Sequence, residues 1–154
     1  MIRRSMRRSL LAMIGTATMV FLLLGCGETT TSTSLDAAEV AAAKIEEEWG
    51  VKVLGIRRTA LGYMLDFRYR VVDAEKAAPI LDRRITPYVE IKETGVRLLV
   101  PQAPKLGSMR QTSFAVKADR DYFIVFANPS QIVGKGDLVS VVVGDFETPA
   151  LAVQ

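Results

Sequence analysis

Arginine is concentrated on two neighbouring segments of the chain, and its planar guanidinium group suits the binding of carboxylates and phosphates. Alternation in GYMLDFRYRVVD places Asp66, Arg68 and Arg70 on one face of a strand, and Arg57 and Arg58 lie on the segment before it. If the two segments pair, the sequence predicts a stripe of guanidinium groups that docks an acidic partner or an anionic glycan. The alternative is a solvated sheet face with Arg–Asp pairs that add little stability.

The second candidate site is a long loop, PQAPKLGSMRQTS, which covers residues 101–113 and contains two prolines and a glycine. Long loops at the end of a β-sandwich often carry binding residues. Lys105 and Arg110 are its candidate partner-binding side chains. The alternative is that this loop is a plain crossover between two sheets.

The chain lacks the residue types on which many enzymatic mechanisms depend. The chain has no histidine and one cysteine, which excludes His-based triads, zinc sites with histidine ligands and an internal disulfide. No GxSxG elbow surrounds a serine, and Gly134-Lys135-Gly136 lacks the spacing of a phosphate loop. We therefore predict a non-enzymatic protein with no catalytic residue, no metal and no cofactor.

A carboxylate-based hydrolase remains the less favoured alternative, because two acids in a cleft suffice for glycoside hydrolysis. No spacing in the sequence selects a pair of acids. The candidates by residue type are Asp66, Asp73, Asp82, Asp145 and Glu147.

Charge argues against a nucleic-acid partner. Four of the 20 basic residues lie in the first eight positions, and the first acid is Glu28. The chain from Cys26 onward therefore carries 16 basic and 17 acidic side chains. The formal charge of +3 thus reflects the N-terminal arginines, and no basic domain remains to bind nucleic acid.

The N-terminal residues have the organisation of an export signal. Four arginines precede an uncharged, mostly apolar stretch, residues 10–24. As a helix this stretch would reach about 22 Å, which is short of the hydrocarbon core of about 30 Å. Residues 1–25 are therefore predicted to be a signal peptide.

The stretch ends in Leu23-Leu24-Gly25-Cys26, which resembles the lipobox of bacterial lipoproteins. The resemblance implies cleavage between Gly25 and Cys26 and attachment of diacylglycerol to the Cys26 thiol. It also implies a lipid-anchored protein of the cell envelope that faces the periplasm. Gly27 lacks the aspartate that retains enterobacterial lipoproteins at the inner membrane, which favours the outer membrane if the organism has one.

A tether and a helix are predicted to follow the lipidated cysteine. Residues 26–34 contain no large apolar side chain and are expected to be flexible. Leu35, Ala38, Ala42, Ile45 and Trp49 then recur at helical spacing and predict a helix over residues 35–50 with one apolar stripe. Ser34 or Asp36 is its expected N-cap, and Gly50 is expected to end it.

Residues 51–154 contain about seven short apolar strands, with turn residues between most of them. PYVEIKETGVRLLVP is predicted to form a hairpin, DYFIVFANP a central strand, and PALAVQ a closing strand at an edge. The fold class is mainly β: an immunoglobulin-like antiparallel β-sandwich preceded by one short N-terminal helix. A small β-barrel is the alternative.

Much of residues 46–154 is similar to a group of small exported bacterial proteins of uncharacterised activity. The likeness lies in EEEWGVKVLGIRRTALGYMLDFRYRVVDAEKAAPILDR, IVFANPSQIVGKGDLVSVVVGDFE and LAVQ. It implies a recurring exported domain and supplies no functional residue. The expected function is a lipid-anchored protein that binds or scaffolds another envelope component. The alternative is a small-ligand or glycan-binding module.

Overall fold

An N-terminal helix and two main antiparallel β-sheets make up the fold of residues 30–105, 107–113 and 115–154, which are the residues that the computed structural model of the chain describes. The predicted signal peptide, the cleavage site at Gly25 and Cys26, and residues 27–29 of the predicted tether lie outside this part of the chain. The prediction of a mainly β sandwich preceded by a helix is confirmed.

Helix α1 covers Thr30–Trp49 and begins earlier than predicted, so the expected N-caps Ser34 and Asp36 lie inside it. In the described part of the chain, no helix combines the length and the hydropathy needed to span a membrane. Among the described side chains of α1, residues 37–49, those of the last turns pack against the sheets. Ile45 is buried there, and the ring of Trp49 meets the ring of Phe146 edge-on at 5.6 Å.

The N-terminal part of the predicted apolar stripe is not buried, since Ala38 and Ala42 are exposed and line only an open apolar groove. Gly50 ends the helix as expected, with a φ of +61° and its N–H donating to the Glu46 carbonyl. A Cβ at Gly50 would lie 2.6 Å from the Cβ of Asp73, which excludes any larger residue. Lys76 further supports this end of the helix, because its Nζ donates to the Glu47 carbonyl.

The first sheet has the strand order β1-β2-β7 and is antiparallel throughout. Its strands are β1 (Val51–Thr59), β2 (Met64–Val71) and β7 (Arg120–Ala127). Leu65, Phe67, Tyr69 and Val71 of β2 are buried, as their alternation predicts, whereas Tyr63 precedes the strand and is exposed. Strand β2 is thus the centre of the sheet. Strand β7, predicted to be central, is instead the edge strand of this sheet, and residues 109–111 pair with its outer edge only around Arg110 and Ile124.

The second sheet has the order β10-β8-β3-β4, and β9 also pairs with β8. Its strands are β3 (Tyr88–Ile91), β4 (Arg97–Leu99), β8 (Leu138–Val143), β9 (Phe146–Glu147) and β10 (Leu151–Ala152). The predicted hairpin forms between β3 and β4, and the closing strand β10 lies at an edge, as expected. Two further short strands, β5 (Gln102–Ala103) and β6 (Gly107–Ser108), form a separate hairpin.

One apolar core joins the two sheets. It contains residues from both sheets and from α1, among them Ile45, Phe67, Phe126, Val89, Val141 and Phe146. Within the described ranges the strands lie in separate sheets and form no closed barrel, so the sandwich prediction is right and the barrel alternative is wrong. The last residues link the sheets: Gln154 exchanges two backbone hydrogen bonds with Ile56 and Arg58 of β1, directly after β10 has paired with β8.

The chain crosses between the sheets three times. The short helices α2 (Ala74–Ala77) and η2 (Ala78–Leu81) lie on the first crossing, from β2 to β3. Residues 100–119 form the second, from β4 to β7, and η3 (Pro129–Gln131) lies on the third, from β7 to β8. The 101–113 loop therefore crosses from one sheet to the other, as the alternative interpretation of the sequence predicts.

Candidate functional site

A β-bulge in β1 decides which arginines reach the outer face of the first sheet. Val53 is opposite Tyr69, but the next registered pair is Gly55 and Arg68, so Leu54 is an extra residue. Strict alternation from the buried Val51 would turn Arg57 toward the core. The bulge shifts the pattern by one residue and places Arg57 on the outer face, opposite Asp66.

Arg57, Asp66 and Arg68 form the centre of this outer face. Arg57 donates from Nε and Nη2 to Asp66 Oδ2 at 3.1 and 3.0 Å, and Arg68 Nε donates to the same oxygen at 3.0 Å. The Asp66 side chain is 9% exposed, whereas about half of each arginine side chain is in solvent. One buried carboxylate therefore holds two guanidinium groups, which leaves their outer N–H groups in solvent.

Arg70 continues the stripe in a separate ion pair. Its Nε donates to Asp121 Oδ1 at 2.6 Å and its Nη2 to Oδ2 at 3.1 Å, across the pairing of β2 with β7. This hydrogen bonding lowers the pKa of Asp121 below its usual value and raises the pKa of Arg70. Both side chains are about half exposed, so the pair adds little stability.

Arg58 does not belong to the stripe, which corrects the prediction from the sequence. It follows Arg57 in an extended strand and therefore faces the opposite way, across from the buried Leu65. Its Nη2 donates to Gln131 Oε1 at 3.1 Å, and its guanidinium group lies against Gly62. Arg58 closes the end of the core and is not available on the outer face.

An open apolar depression of about 250 Å³ lies beside the Arg57–Asp66–Arg68 cluster. Phe123 is directly opposite Arg68 on the neighbouring strand and is 36% exposed. The apolar side chains of the depression are Met64, Met109, Phe123 and Val125. No spacing in the sequence relates them to the arginines, since they come from three distant segments of the chain. We call this depression and the stripe of Arg57, Asp66, Arg68 and Arg70 the outer-face patch.

The 101–113 loop forms a wall of a second site, a cavity of about 410 Å³. Arg110 lines this cavity and is only 9% exposed, so it lies outside any protein-docking surface. Lys105 is exposed near the tip of the β5–β6 hairpin and does not line the cavity. The two loop residues singled out from the sequence thus lie in different environments, and Arg83 is the second arginine of the cavity.

Arg110 has an incomplete set of partners. Its Nη2 donates to the carbonyl of Asp82, while its buried Nη1 has no hydrogen-bond partner. The Asp82 carboxylate is bound by Nε, Nη2 and the backbone N–H of Arg84, and these contacts lower the pKa of Asp82 to about 2. Burial of the Arg110 side chain lowers the pKa of its guanidinium group.

The acids of the hydrolase alternative are distributed over several places. Asp66 and Asp82 are bound by arginines, and Asp73 caps α2 by accepting from the N–H groups of Glu75 and Lys76. Asp145 and Glu147 line one shallow groove against α1, where Glu147 accepts from Lys92 Nζ at 3.0 Å. Among the described residues, no group of three or more Cys, Asp or Glu side chains is arranged to hold a metal ion.

No known protein family matches this chain, and no characterised protein or solved structure matches it either. The lipobox, the likeness of residues 46–154 to exported bacterial proteins and the absence of enzymatic activity therefore stay predictions. What the structure adds is two distinct places where anionic groups could bind: the outer-face patch and the cavity beneath the crossover loop.

Proposed function

We propose that this protein is a lipid-anchored, non-enzymatic binding protein of the cell envelope, which docks an acidic segment of a partner protein on its outer-face patch. The observation that carries the docking proposal is the shared carboxylate of Asp66. Because one acid serves both Arg57 and Arg68, the patch keeps an excess of positive charge together with free guanidinium donors.

Charge complementarity favours an acidic partner. Four cations lie on this face of the first sheet, namely Lys52, Arg57, Arg68 and Arg70, against the acids Asp66 and Asp121 of its strands and Asp119, which also interacts with Arg70. Lys52 is directly opposite Arg70, an arrangement of like charges that costs stability. Carboxylates of a partner would relieve that repulsion and bind the outward N–H groups in bidentate pairs.

The apolar depression supplies the other half of a docking site. Interfaces combine an apolar centre with a polar rim, and their strongest contacts are large side chains in a desolvated pocket. Phe123, Met64 and Met109 form such a centre beside the arginines. The fitting partner is therefore a segment in which an apolar side chain is flanked by Asp or Glu.

The docking proposal predicts that the double variant Arg57→Gln with Arg68→Gln loses its partner. The two glutamine amides keep donors near Asp66 but remove both charges. We expect crosslinked pull-down of the full-length protein from native membranes to recover one dominant protein from the wild type. Capture should fall at least about tenfold in the variant, since charged interface contacts contribute 1.5 kcal/mol or more.

A matched control removes an arginine elsewhere. Arg97 is an exposed residue of the second sheet that pairs with Glu90, and Arg97→Gln should capture the partner as the wild type does. Capture should also weaken as salt is raised from about 0.05 to about 0.5 M, because screening of the charges becomes stronger. Equal capture by the double variant and the wild type, or no partner in any sample, would refute the proposed docking face.

The anchor proposal rests on the lipobox and concerns Cys26, which precedes the described residues. A thiol is required for thioether attachment of diacylglycerol, and two or three acyl chains give durable anchoring. We expect Cys26→Ser to remain an uncleaved precursor without lipid mass in intact-protein mass spectrometry. Ser32→Ala is the control and should be processed normally. Cleavage and lipid addition in Cys26→Ser would contradict the lipoprotein interpretation.

A further inference from the structure

We propose that the cavity beneath the 101–113 crossover is a binding site for a small organic oxyanion, a phosphate or a carboxylate, with Arg110 as its principal ligand-binding residue. This site is separate from the outer-face patch and goes beyond the proposed docking function. The environment of Arg110, the composition of the cavity wall and the size of the space all favour this ligand.

Arg110 is a buried cation that interacts electrostatically with Asp82, an acid that it shares with Arg84. Its side chain forms no ion pair with any acid among the described residues, and the nearby Asp82 carboxylate is already bound by Arg84. Arginine keeps its charge in proteins, and a buried charge requires an opposite charge or a full set of hydrogen bonds. Arg110 donates one hydrogen bond, to the backbone carbonyl of Asp82, and its Nη1 has no hydrogen-bond partner. An anion in the adjoining cavity would supply an opposite charge that is not shared.

The cavity wall has the composition of an oxyanion site. It contains two arginines, four neutral residues that can donate hydrogen bonds, and no Asp or Glu. Its polar residues are Arg83, Arg110, Thr86, Gln102, Ser108 and Thr112. Arg83 Nε donates to Thr112 Oγ1 at 3.0 Å, which holds that guanidinium group in the wall. Guanidinium forks bind carboxylates and phosphates through two parallel N–H donors, and hydroxyl groups complete their coordination.

Size and shape restrict the ligand to a small molecule. The space measures about 410 Å³, within the usual range of small-ligand sites, and Ile85, Pro87 and Val100 form its apolar side. A ligand that carries an anionic group and a short apolar portion fits these surfaces. The Tyr69 hydroxyl lies in the same buried region, since it interacts electrostatically with Arg110. It also has no hydrogen-bond partner.

The test measures binding of two simple probes to the full-length chain by isothermal titration calorimetry and by thermal shift. Inorganic phosphate represents phosphate esters, malonate represents carboxylates, and sodium chloride at matched ionic strength is the reference. We expect saturable binding of one probe and a rise in melting temperature that chloride does not give. Binding of phosphate alone assigns phosphate esters, and binding of malonate alone assigns carboxylates.

Two variants locate the site. Arg110→Gln should weaken binding at least about tenfold, as expected for loss of a charge-assisted hydrogen bond in a buried place. Arg83→Gln changes an exposed residue, so it tests the same cavity if Arg110→Gln does not fold. Arg97→Gln removes an equal charge from the second sheet and should bind the probe as the wild type does.

The proposal is overturned if neither probe binds, if chloride stabilises equally, or if Arg83→Gln and every folded Arg110 variant bind as the wild type does. The outcome is independent of the docking proposal. The Arg57→Gln and Arg68→Gln double variant should bind the probe normally, and Arg83→Gln should still capture the protein partner.

Discussion

Asn128→Ala is expected to lower the free energy of unfolding by about 3 kcal/mol or more, because it leaves three buried backbone groups without partners. Asn128 is fully buried just after β7. Its Nδ2 donates to the carbonyls of Gly62 and Val133 at 2.8 and 2.9 Å, and its Oδ1 accepts from the Val133 N–H at 3.0 Å. One amide thus joins the β1–β2 turn to the crossover that follows β7.

Urea unfolding followed by circular dichroism measures this effect. Gln131→Ala is the matched control in the same crossover, since Gln131 is exposed and only its Oε1 bonds to Arg58. That substitution should change stability by no more than about 0.5 kcal/mol. If the free energy of unfolding of Asn128→Ala also differs from that of the wild type by no more than about 0.5 kcal/mol, the Asn128 hydrogen bonds do not hold the turn and the crossover together.

Phe67→Ala is expected to destabilise the protein by about 3–5 kcal/mol, the range for truncating a fully buried aromatic side chain. Phe67 lies on the central strand β2, between Ile56 of β1 and Ile124 of β7. Its ring stacks on Tyr69 at 5.7 Å, and Tyr69 stacks on Tyr122 at 6.0 Å. Removal of the ring opens a cavity in the middle of the sandwich, and two rigid sheets cannot collapse into it.

Phe123 gives a matched comparison on the other face of the same sheet. Phe123→Ala removes the same ring from an exposed position, so its stability cost should remain below about 1 kcal/mol. The variant should instead weaken capture of the acidic partner. Equal losses of stability for Phe67→Ala and Phe123→Ala in chemical denaturation would contradict the assignment of the two faces.

Local sequence pattern was enough to predict the class of fold. Alternation in β2 separates Leu65, Phe67 and Tyr69 from Arg68 and Arg70, because successive side chains of a strand point to opposite faces. Turn residues also predict the β3–β4 hairpin, and Gly50 ends α1 through a backbone conformation that glycine adopts readily. These features depend on a few adjacent residues, which the sequence shows directly.

The spacing of apolar residues could not predict the start of α1, because residues 30–34 are helical but polar. Their threonines and serines are typical of a tether, whereas α1 begins at Thr30. Ala38 and Ala42 of the predicted stripe are exposed, because among the described side chains of α1 those of the last turns contact the sheets.

The sites required the tertiary structure. The residue pattern alone predicts a helix followed by an antiparallel sandwich, and it identifies arginine as the residue most able to bind a ligand. Only the fold decided which arginines act together: the bulge at Leu54 turns Arg57 outward and Arg58 inward. Only the crossing of the 101–113 segment between the sheets buries Arg110 beside a cavity. The face on which a side chain lies and its burial depend on strand register and on contacts between distant segments, whereas periodicity reflects only neighbours along the chain.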